Sequence, residues 1–292
     1  MYKLKSWINI NNFDWSILSQ NPKAISILNQ NIDKIDWYFL SSNPNAIDLL
    51  TQNIDKINWS QLSLNPNAIH LLSQNLDKID WYNLSINPNA LDLLKKNKKN
   101  IYWGQLSRNL NPNIIFLLKK NLIKINWYWL SSNPLVISLL EENIDNTHWS
   151  QLSLNPNAIH LLSQNLDKVD WDLLSQNPQA INILEKNIDK INWDYLSLNP
   201  QAIHILEKNI DKINWKNLTL NPQAIHILEK NIDKINWDYL LLNESIFDID
   251  YDFFRKRCDI FKKELIEKAL HPLKIKKILD TGIEIEDLEY YM

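Results

Sequence analysis

Four histidines, His70, His160, His204 and His226, stand in the same slot of a recurring line, directly after Ala-Ile. Histidines in register are the raw material of a metal site. Zinc, however, needs its ligands to converge on one ion at ~2 Å, and equivalent side chains on stacked helices lie ~8–10 Å apart. The same slot also holds Ser26, Asp48, Asp92, Phe116 and Asn182, which fits a partly exposed ridge better than a ligand set. Cys258 is the single thiol, flanked by Arg255, Lys256 and Arg257. That flank would suit a reactive thiolate, but no His/Asn arrangement accompanies it and it reads as inert. Charged dyads such as Asp33-Lys34 are adjacent in sequence; adjacent side chains do not face each other on a helix, so the dyads read as solvated turn residues. Walker loops, zinc motifs and nucleophile elbows are missing, and a chain with 2 glycines, Gly104 and Gly282, could not build most of them. The expectation is a non-enzyme with no catalytic residue, metal or cofactor.

The chemistry is sparse because the chain spends its length on repetition. "LSLNPNAIHLLSQNLDKIDW" (Leu62 to Trp81) recurs from Leu152 to Trp171 with Ile79 changed to Val169. Trp15, Trp37, Trp59, Trp81 and Trp103 are 22 residues apart, and Trp127, Trp149, Trp171, Trp193, Trp215 and Trp237 resume the step after a gap of 24. Two extra residues in "LSRNLNPN" (Leu106 to Asn113) account for that gap and predict a loop that bulges without breaking the array.

Each repeat predicts two short helices. Asn-Pro pairs such as Asn43-Pro44 mark a start, because Pro is preorganised for the first helical position and an Asn side chain accepts from the unpaired N–H groups of a first turn. Ala46, Ile47, Leu49 and Leu50 then form one apolar face. Asn53 and its equivalents, among them Asn187, are expected to end that helix in the left-handed conformation in place of glycine. Asn58 and its equivalents cap a second helix led by Trp, with Ile57 and Leu62 as a hydrophobic staple. A leucine-rich-repeat reading is the competitor, but its L-x-x-L-x-L pattern does not occur. Helices this short are marginal alone, so stacking must stabilise them, with the repeated Trp packed as a core ladder. The expected fold class is therefore all-α: an α-solenoid of 22-residue two-helix repeats with a C-terminal helical cap. The chain divides into an N-terminal half-repeat cap over 1–14, the repeat array over 15–243, and the C-terminal cap over 244–292. Within the C-terminal cap a helix is expected from Asp252 to Leu270, and another that begins at Pro272 and closes at Gly282.

Composition narrows the partners. The net charge is −3 with 45% apolar residues, which excludes wholesale disorder and gives no basic stripe for nucleic acid. The apolar runs are far shorter than the ~20 residues that span a bilayer, and no secretion signal is legible. An intracellular protein, with neither nucleic acid nor membrane as partner, is expected.

The lines "LSLNPNAIHLL" (Leu62 to Leu72), "NIDKINW" (Asn53 to Trp59) and "FDIDYDFFRKRCDIFKKELIEKALHP" (Phe247 to Pro272) resemble the Trp/Asn-rich short-repeat proteins of giant DNA viruses of amoebae. The resemblance covers nearly the whole chain. It implies a repeat architecture, a viral origin and a place in host cytoplasm or virion, and it supplies no catalytic residues. What remains for function is the pair of residues after each Trp, which varies while the frame stays fixed. Tyr38, Phe39, Tyr82, Tyr128, Trp129, Tyr195 and Tyr239 place aromatics there, the class enriched at interface hot spots; partial burial against the next repeat is the other reading. The functional expectation is a scaffold that binds a host or viral protein, with a structural component of a viral particle or factory as the alternative. Oligomeric state is left open.

Overall fold

The computed structural model describes residues 2–10, 13–269 and 271–280. It divides into two units, one formed by 5–246 and the other by 1–4 with 247–292. The smaller unit pairs strand β1 (Tyr2–Leu4) with strand β2 (Phe247–Ile249) in antiparallel register, Leu4 opposite Phe247. It also carries helices Tyr251–Ala269 and Pro272–Leu279, the latter with Pro at its first position. The stop expected at Gly282 lies outside the described residues.

The larger unit is an all-α repeat array. In a representative repeat, Trp37–Ser42 forms one helix and Ile47–Gln52 the other, and Ile54–Lys56 adds a single 3-10 turn before the next Trp. The cap before Trp behaves as the sequence predicts: Asp36 Oδ1 accepts from the N–H of Tyr38 (3.0 Å) and of Phe39 (3.3 Å). Pro44 occupies a turn, and regular α geometry starts three residues later at Ile47. Leu40, Ala46 and Leu50 are completely buried and recur as such along the array.

Three expectations change. The first concerns Asn53, which has φ −133° and ψ 53° rather than a left-handed conformation, as do its equivalents, for example Asn187 at −136° and 50°. Its job is done by the side chain: Asn53 Nδ2 donates to the Leu49 carbonyl at 2.9 Å and Asn187 Nδ2 to Ile183 at 2.8 Å, pairing carbonyls that the helix end leaves open. The second concerns the Trp ladder, which is half-buried throughout instead of sealed in the core. Its exposed faces explain the third change. Lys56 lies 4.7 Å from the Trp37 ring centre, and Lys34, Lys78, Lys124, Lys168, Lys190, Lys212 and Lys234 cover the preceding indoles at 4.5–5.0 Å. The lysine of each dyad is a lid that trades one hydration shell for an aromatic face.

What joins repeats is a buried polar ladder. Outside the two-residue insertion, the Asn before Pro in each repeat is almost inaccessible, Asn65 and Asn155 completely so. Its Oδ1 caps its own chain, as Asn65 Oδ1 accepts from Asn67 N–H at 3.0 Å. Its Nδ2 reaches back one repeat, donating to the carbonyls of Ser41 (3.1 Å) and Asn43 (2.7 Å). A serine forms the second rail: Ser41 Oγ donates to Trp37 O at 2.7 Å and accepts from Asn58 N–H at 2.9 Å. The two-residue insertion leaves both rails intact. Asn109 keeps its rung to Ser85 and Asn87, while Asn111 supplies the outer bond to Pro88 O.

The ladder does not stop at the first repeat. Asn21 Nδ2 donates to the Leu241 carbonyl at 2.8 Å, 220 residues away, and Leu241 occupies the slot of Ser19 and Ser41. Lys23 Nζ reaches Glu244 O at 3.2 Å, the bond Asn45 makes to Pro22 O elsewhere. Trp7 packs on Trp237 with ring centres 6.4 Å apart, and Lys5 N–H donates to Ile246 O at 3.0 Å. First and last repeats therefore meet through the same interface that joins neighbours, and the solenoid closes into a ring of eleven Trp-led repeats. The first and last repeats, which the sequence leaves as separate ends, are joined to each other in this unit. Closure is a sum of small rotations, roughly 33° per repeat, which no single repeat displays.

Candidate interaction surface

Curvature sorts the two helices of a repeat into an inner and an outer layer. Trp-led helices of most neighbouring repeats pack directly on one another, whereas the second helices do not make comparable contacts. Between second helices lie open clefts, one of about 340 Å³ lined by Ile159, Leu166, Ile183 and Lys186 and one of about 230 Å³ lined by Ile210, His226 and Ile227. Elements on a concave side crowd and those on the convex side splay. Eleven helices at ~9 Å spacing close on a circle of radius about 16 Å, and a layer ~10 Å further out is spaced at about 15 Å. Tight inner contacts and outer clefts are what that arithmetic requires. The Trp-led helices form the inside, around an opening roughly 20 Å across once the helix radius is subtracted.

Within each inner helix the third and fourth residues after Trp are buried, as Leu40 and Ser41 are. Successive residues turn by about 100°, so the second and fifth residues after Trp point away from the core, toward the opening, although crowding leaves Gln151 buried, and the first points to one side. Of the aromatics singled out from the sequence, Tyr38, Tyr82, Tyr128 and Tyr195 are exposed, at 36–50%. Phe39, Trp129 and Tyr239 are half-buried between crowded neighbours. The structure pairs Tyr38 edge-on with Phe39 (5.1 Å) and Tyr128 with Trp129 (4.9 Å). Tyr38 and Tyr128 hydroxyls accept from Gln61 and Gln151 of the next repeat at 2.8 and 3.0 Å. Tyr82 turns instead to Tyr102, and Lys216 covers Tyr239 at 4.9 Å. Tyr195, second after Trp like Phe39, Trp129 and Tyr239, meets none of the other aromatics singled out. The aromatics thus form local clusters spread over the first and second positions after Trp, not one continuous patch.

Sequence reasoning missed the fifth position after Trp, where Leu64, Ile86, Leu154, Leu198 and Leu220 are half-buried and Leu242 is 40% exposed. Its signal was available: an apolar residue that alternates with Gln and Ser is one that packing does not dictate. The histidine ridge stands on the outer layer, where His160, His204 and His226 pair with Glu141, Glu185 and Glu207 at 2.7–3.0 Å. Among the described residues no cluster of three or more His, Cys, Asp or Glu is placed to hold a metal, and no helix is long and apolar enough to cross a membrane. Cys258 is exposed. Comparison with family models, curated proteins and solved structures returns no match.

Proposed function

We propose that the protein is a non-enzymatic ring scaffold that binds a protein partner, host or viral, on its inner face. The carrying observation is that the side chains freed from stacking, including Phe39, Trp129 and Tyr239, share the concave side instead of scattering over the surface. Half-exposed aromatics held by rigid neighbours lose little entropy on binding, which is why such residues dominate interface energetics. A particle building block, the alternative from sequence, draws less support: a closed ring offers no free repeat end on which a further copy would stack. Affinity capture with the full chain tests the proposal, comparing wild type with Phe39→Glu/Trp129→Glu. A stoichiometric protein recovered by wild type and lost by the double variant supports it. Identical recovery by a variant that melts normally places binding elsewhere.

A further inference from the structure

The inner lining has a charge pattern that identifies its partner's chemistry. The second and fifth residues after Trp supply two side chains per repeat, and across all eleven repeats Arg108 is the only one that is charged. The chain as a whole is 22% charged, so the rest of the surface carries what the lining excludes. The uncharged members are aliphatic, aromatic, amide or hydroxyl, and amides and hydroxyls serve both hydrogen-bonding roles. Arg108 lies with its guanidinium carbon 4.4 Å from the Trp129 ring centre, and it forms no ion pair among the described residues. Its planar group is backed by an indole and carries five donors in a rigid fork that matches a carboxylate.

Resting on the scaffold reading, we infer that the opening takes a helical segment of a partner protein, apolar and amide over its enclosed length, seated on the arc from Ile86 to Leu154 with one carboxylate against Arg108. An opening of roughly 20 Å admits a helix of ~10–12 Å with its side chains. A phosphate backbone is the wrong occupant, since nucleic acid is held by many cations along its path and this path offers one. A charged helix is also wrong, because each enclosed charge would lose water without gaining a partner. Arg108 therefore sets register and polarity: it is the one place where the ring rewards an acid and rejects a base.

The test uses the full chain and two fluorescein-labelled helical peptides of Ala, Leu and Gln, one with a single central Glu and one with Lys at that position. Anisotropy should show the Glu peptide binding at least tenfold more tightly, with Arg108→Gln bringing the two together. Leu154→Asp should weaken both, and the exposed outer-layer variant Ile210→Asp should weaken neither. If Leu154→Asp folds poorly, Ser132→Asp at the same slot replaces it. Equal affinities in the wild type, displacement by single-stranded oligothymidine, or a loss that follows Ile210→Asp would overturn the inference. Loss of the captured partner in the Phe39/Trp129 double variant, with neither peptide bound, would leave the scaffold standing and remove only this assignment.

Discussion

The seam between the last repeat and the first uses the interior interface with parts replaced. Inside the array, Asn177 Nδ2 donates to two carbonyls, Ser153 at 2.9 Å and Asn155 at 3.1 Å. Ser153 Oγ adds a bond from Asp170 N–H at 3.1 Å, and Lys190 covers Trp171 at 4.6 Å. At the seam Asn21 keeps a rung to Leu241 O, but Leu241, buried at 1%, replaces the serine rail. Lys23 does the work of an asparagine, and Trp7 stands on Trp237 where most other indoles carry lysine. The difference teaches what the interface needs. A backbone rung and apolar contact suffice to join repeats, and the serine rail and lysine lid are additions that a singular joint can exchange.

The largest expected effect comes from the interior rung. Asn177→Ala removes two donated bonds and a cap and leaves buried carbonyls unpaired, a loss of about 3 kcal/mol in chemical denaturation. Asn21→Ala should cost about half as much; equal losses would mean that the seam is not the weaker joint. Trp7→Ala comes next, at about 2 kcal/mol for a half-buried aromatic, and it should open the seam without unfolding interior repeats, which hydrogen exchange would show as selective loss of protection near Asn21 and Leu241. Asn187→Gly deletes the bond to Ile183 O and adds chain entropy at a negative φ, so its thermal midpoint should correspond to a loss of about 1 kcal/mol. A neutral or stabilised variant would return that residue to the left-handed role read from sequence. Lys190→Ala should fall below about 1 kcal/mol, as exposed cation–π contacts do.

Much of this was legible because each repeat carries its own grammar. Proline, the Asp or Asn before Trp, and the Leu and Ala spacing act within one repeat, and the all-α fold follows from them. The Asn-Pro slot was half read. Its capping oxygen is a local signal, while its Nδ2 bonds cross to another repeat. The residue types carried the clue: the pre-Trp slot, which needs only an acceptor, mixes Asp36, Asn58 and Asp80, whereas the ladder slot is Asn in every repeat from Asn21 to Asn243. Among the usual caps only Asn accepts through one atom and donates twice through another, which is what a cap with two rungs requires. The Trp ladder misled because a residue fixed at each step suggests a sealed core, and its lysine lid sits 19 residues downstream, at the far end of the same repeat beyond the second helix. Closure was illegible for a different reason, since a rotation too small to see in one repeat becomes a full turn over eleven. The inner face inherits that opacity, because concave and convex have no meaning until the turn is known.

Spin labels measure closure directly. Ser16 and Asp238 occupy the same slot, first after Trp, in the first and last repeats, and Asp172 and Asp194 occupy it in neighbouring interior repeats. With cysteines at each pair and Cys258 replaced by Ser, double electron–electron resonance on the full chain should give the two pairs the same short distance. A seam pair several times further apart than the interior pair, in a chain whose interior pair is unchanged, would contradict the ring and with it the inner surface.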